Sequence, residues 1–505
     1  MSRRRVVTIL VLAGILLLAV LVRLRGLTDK SLWEDEIFSL NALGVYSVDQ
    51  PLPEWAAVLH NVFRYYHDDN HPLLFFVLLG AWLKLFGGGV FAVRAFPVVV
   101  NLATLPVICL LAWRIFRDWE TVLVTAAIFG SSAYMVYYAQ EARMYALLVL
   151  LCCLSMLFFL RMLEDDRLRN CAAFALCSAL GLYTHYYYVF FIAMQVLYWT
   201  VSGPRRSRRF LLSLSGVGLA FLPWLPVLLY QISQKYHSDL WIRSSSGGIV
   251  GLPQAAFQGA HILFRFAVGE NFIYPTTDAG MRQILWVTAV LGLVVALQRP
   301  ASAGEGRNRR LLGLWLLSPL VGGFAADLLL QTRTLEVSKY FITSYPALAL
   351  ILASAIARFR WKKARLVPLL ALIAVNINAL SVYYRIPKTV EWRDVAGYLS
   401  SRIGPGDVLL TSEPRIYTCV VFYLGSSQRA IQIPYDSSVD YILGQASKHI
   451  AQSPNLWLVA LDEASNPRLQ GLMQRLAATF PLVSSRTVSE HVTVSSFANR
   501  RQDPE

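Results

Sequence analysis

Charge is what this chain has least of: 15% of its 505 residues are charged, against 56% hydrophobic. A soluble globular domain carries about 25% charged residues, so a water-soluble enzyme is excluded, and the apolar content equally excludes disorder. Acids are scarcer than bases, 31 against 46, for a formal net charge of +15. The bases are nonetheless scattered in short clusters and do not form the single basic face that a nucleic acid needs. Of six cysteines, Cys109, Cys152, Cys153, Cys171 and Cys177 sit in or beside apolar blocks and Cys419 stands alone, without the spacing of a metal site or disulfide framework. Walker loops, a Rossmann glycine pattern and Gly-x-Ser-x-Gly are all missing, which disfavours nucleotide-driven chemistry. Tandem repeats and low-complexity tracts are missing too.

What is present is a series of apolar blocks about as long as a bilayer core is thick. The expected spans are 6–22, 95–113, 121–138, 144–160, 171–185, 186–201, 210–230, 283–298, 311–330, 340–357 and 366–383. The pair either side of His185 is short and requires tilt or local thinning. Block 72–86 is shorter still and contains Lys84, which suits a helix lying in the interface. With that block interfacial, the clusters Arg3–Arg5, Arg114/Arg117, Arg161–Arg169, Arg205–Arg209, Arg299–Arg310 and Arg358–Arg365 all fall on one side. They hold nearly half of the lysines and arginines, so the positive-inside rule selects this arrangement. The N-terminus, Ser2-Arg3-Arg4-Arg5 before an apolar run, lacks a small-x-small cleavage site and reads as an uncleaved first span.

The expectation is a polytopic α-helical membrane protein of about eleven transmembrane helices, N-terminus inside. Its domains are 1–383, membrane-embedded with a first outer loop at 23–94, and 384–505, a small extracytoplasmic α/β domain. In the latter, β-rich runs at Val408–Thr411, Cys419–Leu424, Ala430–Pro434, Leu456–Leu461 and Val492–Phe497 alternate with helical stretches at Trp392–Ile403 and Arg468–Ala478. A second outer segment, 231–282, contains an amphipathic helix around 254–268.

With the topology fixed, the unusual polar residues gather at the outer face. Asp35 and Glu36 follow the first span, Arg94 opens the second, Glu141 and Arg143 join the third to the fourth, His185 joins the fifth to the sixth, and Lys339-Tyr340 precedes the tenth. Helical spacing puts Tyr138, Glu141 and Tyr145 on one face and turns Arg143 away. Arg23 and Arg25 run against the positive-inside trend and suit snorkelling or an anionic headgroup. The run His67-Asp68-Asp69-Asn70-His71 offers metal-ligand types at His67, Asp68 and His71, although Asn70 and Pro72 favour a turn. A divalent metal is therefore left open, and no cofactor is specified. Acids and cations converging on one membrane face suit chemistry on a lipid phosphate. Cations bind the phosphate and stabilise it as a leaving group, and a carboxylate serves a hydroxyl acceptor as base.

Leu32-Trp33-x-Asp35-Glu36, His71-Pro72-Leu73, Phe91-Ala92-Val93-Arg94 and Tyr138-Ala139-Gln140-Glu141-Ala142-Arg143-Met144-Tyr145, in this order, resemble the GT-C superfamily of integral-membrane glycosyltransferases. Within it the chain is most similar to bacterial relatives of protein O-mannosyltransferases and the lipid A aminoarabinose transferase. Ser338-Lys339-Tyr340, Tyr345-Pro346-Ala347-Leu348 and Trp392-Arg393-Asp394-Val395-Ala396 extend the likeness over nearly the full chain. The resemblance implies a polyprenyl-phosphate sugar donor and inversion at the anomeric carbon in a single displacement. It implies a glycan, lipid or protein hydroxyl as acceptor, and a bacterial inner membrane with the site on the periplasmic side. It assigns Asp35 as base, with Glu36 adjacent and Glu141 at the second acidic position. His71, Arg94, Arg143, His185, Lys339 and Tyr340 fall at positions near the donor phosphate or lipid. His71 departs from the Lys-Pro pair of the aminoarabinose transferase. The competing reading is a lipid-linked sugar transporter or flippase, for which Asp327 is the principal intramembrane acid.

Overall fold

The computed structural model describes residues 3–65, 71–202, 208–238, 251–270, 303–330, 332–359, 365–386, 390–425, 429–431, 438–450, 453–461, 467–489 and 491–498. The chain divides into two compact units: Met1–Leu27, Val62–Leu79 and Val93–Arg385 form the first, and Thr28–Asn61, Gly80–Ala92 and Ile386–Glu505 the second. The second unit thus takes in two stretches of the first outer loop that the expectation of consecutive domains 1–383 and 384–505 left with the spans.

Among the described residues, seven helices are long and apolar enough to cross a membrane: Val6–Leu24, Val90–Phe116, Tyr145–Glu164, Arg208–Ser233, Gly306–Leu330, Ser338–Ala357 and Leu366–Arg385. An eighth candidate is the pair Trp119–Ser131 and Ala133–Ala139, bent by 54°. The helices Leu168–Leu182 and Tyr188–Ser202 have 15 residues each, about 22 Å, short of a core about 30 Å thick. Expected span 283–298 lies outside the described residues. Block 72–86 forms Leu74–Phe86, 13 residues or about 20 Å, too short to cross.

The bend at Ser132 exposes backbone groups that hydrocarbon cannot satisfy. Side chains supply the missing partners. Arg23, fully buried, donates from Nη1 to the Gly130 carbonyl at 2.8 Å and from Nη2 to the Phe129 carbonyl at 3.1 Å. Its Nε–H donates to Asn101 Oδ1 at 2.8 Å. Those two carbonyls end a helix, where acceptors lack intrahelical donors and the dipole favours a cation. On the other side of the break, the Ala133 N–H donates to Asn376 Oδ1 at 2.7 Å and the Ser132 hydroxyl caps Met135. Arg23 therefore neither snorkels nor faces a headgroup. Arg25 packs its guanidinium over the Tyr384 ring.

The basic helix ends come together. Arg114 pairs with Glu164 at 2.6 Å, Asn308 Nδ2 donates to the Ile115 carbonyl at 2.7 Å, and Arg307 Nε donates to the Tyr198 hydroxyl at 3.1 Å. Arg365 pairs with Glu120, and Arg209 donates to the Asp166 carbonyl. Five separate sequence clusters thus share one end of the first unit. Between helices, Ser155 bonds Ser178 at 3.0 Å and accepts from Gln195 Nε2 at 3.1 Å, polar contacts that hold helices together where apolar burial discriminates little.

In the second unit a five-stranded sheet has the order β2-β1-β3-β5-β4. The strands are β1 Val408–Thr411, β2 Arg429–Ile431, β3 Asn455–Leu461, β4 Leu482–Ser489 and β5 Val492–Ala498. β2, β1 and β3 are parallel, and β5 and β4 continue antiparallel. The expected strand at Cys419–Leu424 is instead the end of a helix, Pro414–Leu424, stopped at Gly425 with φ +78°. Parallel strands need a crossover, and this helix is the one from β1 to β2. The helices Val439–Ile450 and Pro467–Thr479 place Ile442, Ala446, Leu469, Leu472 and Leu476 against Val408, Leu410, Leu456, Leu458 and Phe497. Strand β4, largely exposed, carries no alternating apolar face, and the sequence pattern missed it.

Arg23→Met removes charged donors from two helix-terminal carbonyls at once. The substitution is expected to cost about 3 kcal/mol, read as a fall in thermal midpoint of the detergent-solubilised protein. Arg25→Met, which loses one cation–π contact, is expected to cost about 1 kcal/mol or less.

Candidate functional site

In the first unit, the chain leaving the bent helix does not continue as one helix through Glu141. Ala133–Ala139 ends, 140–144 forms a tight bend, and a new helix starts at Tyr145. Tyr138, Glu141 and Tyr145 therefore do not share one helical face, although the Tyr138 and Tyr145 rings still meet edge-on at 5.2 Å. The bend turns Arg143 inward: it is 2% exposed, and Nη2 lies 3.0 Å from His71 Nδ1. An arginine only donates, so Nδ1 accepts in this bond and a neutral His71 ring carries its proton on Nε2. Arg143 also stacks over Phe76.

Pro72 ends the extended approach to Leu74–Phe86, and the Leu74 N–H donates to the Tyr183 carbonyl at 3.1 Å. That bond ties the His71 segment to the Thr184-His185-Tyr186 turn. The His71 and His185 rings lie 5.5 Å apart. His185 is buried, and its Nδ1 accepts from the Tyr187 N–H at 3.2 Å, which again leaves Nε2 as the N–H of a neutral ring. Around His185 stand Tyr340 at 5.5 Å, Tyr187 at 5.6 Å and Tyr145 at 6.4 Å between ring centroids. Lys339 Nζ lies 5.4 Å from the Tyr145 ring. Histidines 71 and 185, Arg143, Lys339 and Tyr340, drawn from four separate loops, thus form one cluster. It brings together an arginine, a lysine and two imidazoles, a set of donors that matches the oxygens of a phosphate ester.

The turn that leads into Ser338-Lys339-Tyr340 is held by Asp327. Its Oδ1 accepts from Thr332 Oγ1 and Thr334 Oγ1, both at 2.6 Å, and from the Thr334 N–H at 2.8 Å. Oδ2 accepts from the Leu335 N–H at 2.9 Å. Gly323 sits where a Cβ would lie 2.2 Å from the Phe341 ring, so that helix and the segment pack backbone to side chain. Asp327 shapes a turn and is not an acid open to a transport path.

A residue the sequence reading missed is Glu270. Its carboxylate accepts from Ser338 Oγ at 2.9 Å and pairs with Arg265 at 2.8 Å, beside Tyr134 and Tyr138. The available signal was an acid placed directly after Gly269, at the end of the amphipathic helix Leu252–Val268 that carries Arg265. On the same helix His261 accepts from Arg265 Nε at 3.3 Å, and burial, helped by that guanidinium, pushes its pKa down to about 4.

Other expected residues lie apart from this cluster or are placed differently. Arg94, 4% exposed, donates to the Leu27 carbonyl at 3.0 Å. Glu141 is buried in the 140–144 bend, near Tyr138. Asp35 and Glu36 belong to the second unit, in the helix Glu34–Asn41. There the Glu36 carboxylate folds back toward the Trp33 N–H at 3.4 Å as the N3 member of a capping arrangement, fully buried, while Asp35 is half-buried. That geometry separates the two acids: Glu36 starts the helix. His67 and Asp68 lie outside the described residues, and among those described no group of three or more His, Cys, Asp or Glu is placed to hold a metal.

Residues 70–230, which include His71, Arg94, Glu141, Arg143 and His185, match the family model of dolichyl-phosphate-mannose-protein mannosyltransferases. The fold is similar to that of ArnT from Cupriavidus metallidurans in the apo state, with a TM-score of 0.59 and 13% identity over 98% of each chain. It is similar to the same protein bound to undecaprenyl phosphate, with a TM-score of 0.56 and 13% identity over 98% of this chain and 99% of that one. An oligosaccharyltransferase from Archaeoglobus fulgidus, in a complex with Zn and sulfate, matches with a TM-score of 0.52 and 11% identity over 91% of this chain and 69% of the other. No curated protein matches by sequence.

Two outcomes follow. Asp327→Asn puts an amide where four donors converge, and is expected to cost about 1–3 kcal/mol in thermal stability measured in detergent. His261, with a folded pKa below its usual 6.5, binds its proton more readily in the unfolded chain. It therefore lowers stability as pH falls from about 6.5 toward 4; His261→Gln is expected to flatten the thermal midpoint over that window and leave it unchanged above pH 7.

Proposed function

We propose that the chain is a glycosyltransferase of the GT-C kind, a reading supported by the family-model match over residues 70–230 and the fold shared with ArnT, and that it transfers a sugar from a polyprenyl-phosphate donor to a hydroxyl of an envelope acceptor, with inversion. The observation that carries this reading is the cluster of His71, Arg143, His185, Lys339 and Tyr340. Charge-assisted bonds from Arg143 and Lys339 stabilise the phosphate as its negative charge grows on departure. His71 stands where a lysine would supply a charge, and its neighbour Arg143 supplies one instead while His71 contributes an N–H. The complex of ArnT with undecaprenyl phosphate supports a polyprenyl carrier for the donor.

In the proposed reaction the acceptor oxygen attacks the anomeric carbon. A new carbon–oxygen bond forms there, and the bond from that carbon to the phosphate oxygen breaks. The acceptor's proton passes to the Asp35 carboxylate, and polyprenyl phosphate leaves with the bonding electrons, needing no proton of its own. A second catalytic carboxylic acid of the glycosidase kind is therefore unnecessary. Asp35 is preferred to Glu36 because the Glu36 carboxylate is engaged at the helix start. Glu141, buried beside Tyr138, is proposed to position the acceptor. We place the site on the periplasmic side of a bacterial inner membrane, opposite the basic helix ends.

The test is release of free polyprenyl phosphate from a panel of polyprenyl-phosphate sugars by purified protein, with cell-envelope extract as acceptor. Wild type is expected to turn over one donor, and Asp35→Asn to lose about 10²–10⁴-fold without losing stability. Equal turnover by the variant removes Asp35 as base. If no donor is turned over while lipid-linked sugar still crosses vesicle bilayers, the chain is a flippase.

A further inference from the structure

The end of the first unit away from the His71–His185 cluster holds a second polar cavity, of about 390 Å³. Tyr145, beside His185, and Glu164, in the cavity, are the two ends of the helix Tyr145–Glu164, about 28 Å apart along its axis. The two polar regions are therefore separated by the thickness of a bilayer core. Three guanidinium groups, Arg114, Arg307 and Arg358, line this cavity against a single carboxylate, Glu164.

Arg114 and Arg307 are anchored by specific partners, and Arg358 is exposed at the cavity. Arg114 pairs with Glu164, is 19% exposed, and has a buried Nε without a hydrogen-bond partner among the described residues. Arg307 is anchored through Nε to the buried Tyr198 hydroxyl, which leaves its remaining N–H groups for another acceptor. Arg358 lays its face over the Phe116 ring at 5.5 Å, so its N–H groups stay at the edge of the plane. Arg117 and Arg161 lie close enough to act on Arg114 electrostatically. Asp118 acts on Arg358 in the same way. Positive charge still exceeds what Glu164 and Asp118 neutralise, in a cleft that Ile115, Leu160 and Leu311 also line. A cleft lined by cations and by aliphatic side chains suits an anionic head on an apolar tail.

We infer that this cavity binds a phosphate-ester anion, independently of the donor-sugar site. A phospholipid headgroup in the leaflet at the basic end of the helices supplies that anion with acyl chains for the apolar walls, and planar guanidinium groups provide bidentate donors for its oxygens. Bound there, it bridges helix ends that otherwise repel one another, and so stabilises the first unit.

The full chain is placed in phosphatidylcholine nanodiscs with or without phosphatidylglycerol, and retained lipid is read by native mass spectrometry alongside the thermal midpoint. A parallel arm adds glycerol 1-phosphate to the lipid-free detergent preparation. Phosphatidylglycerol is expected to be retained in preference to phosphatidylcholine and to raise the midpoint. Arg307→Gln with Arg358→Gln is expected to weaken that retention roughly thirtyfold. Arg307→Lys, which keeps the charge, is expected to weaken it far less, and Arg365→Gln, which lies outside the cavity, not at all. Should the double variant not fold, Arg358→Gln alone keeps the Tyr198 anchor and is expected to cost about fivefold. An arginine-dependent rise in midpoint with glycerol 1-phosphate alone also supports the anion site and makes its source soluble. Equal retention by wild type and variants, with no arginine-dependent response to either compound, overturns the inference.

Discussion

A helix that breaks inside a bilayer leaves carbonyls and N–H groups that neither water nor the next turn satisfies, and the first unit is organised around one such break. Residues 129–133 interrupt the third span, and the structure meets the demand with side chains from three other helices. Arg23 answers the carbonyls before the break, Asn376 the N–H after it, and Asn101 fixes Arg23 in turn. Gln140, at the far side of the short helix, donates to the carbonyls of Arg23 and Arg25 and so closes the end of the first span. These bonds join residues 78 to 243 positions apart and fix the direction in which the chain emerges at Glu141 and Arg143. Without the break a continuous helix carries Arg143 away from His71. The geometry of the cluster thus depends on a backbone fault and on a buried arginine with which none of its members forms a described bond.

The spans were legible because a bilayer imposes one rule, about 20 apolar residues at a stretch, and nearly every expected block contains a helix at the expected place. The grouping of basic clusters at one end was legible for a related reason: charge asymmetry is selected at the level of whole loops. What composition does not encode is how the chain behaves inside a block. Nothing in Phe129-Gly130-Ser131-Ser132 marks a 54° bend on hydropathy alone, so the helical face assigned to Tyr138, Glu141 and Tyr145 was wrong and Arg143 was turned the wrong way. In the second unit, the run Cys419–Leu424 is rich in β-branched and aromatic residues, yet the parallel pairing of β1 with β2 requires a crossover there, a constraint visible only once the pairing is known.

The same contrast holds for the charged residues. Read singly, Arg23, Arg143, Asp327 and Glu36 look alike, an ionisable group at the edge of an apolar block. In the structure Arg23, Asp327 and Glu36 serve the backbone: one caps a broken helix, one a turn, one a helix start. Arg143 serves another side chain. Residue type and depth select candidates, but the partner separates them: Arg23 and Asp327 bond main-chain atoms, amides and hydroxyls, whereas a group facing other titratable side chains is a candidate for chemistry. By that criterion the weight of the site moves toward His71, Arg143, His185 and Lys339, and toward Glu270, whose partners are Ser338 and Arg265.

That shift bears on why a histidine serves where a lysine would carry the charge itself. A lysine at position 71 would face the buried guanidinium of Arg143 at hydrogen-bond distance, and like-charge repulsion there would disfavour its charged form. Histidine resolves it by accepting through Nδ1 and donating through Nε2. The pair then presents one charge and a second donor along a single line from Arg143 through the ring. The cation of this pair sits in the 140–144 bend and not beside Pro72. Its placement consequently depends on the fault in the third span, so the charge and the break that aims it form one device.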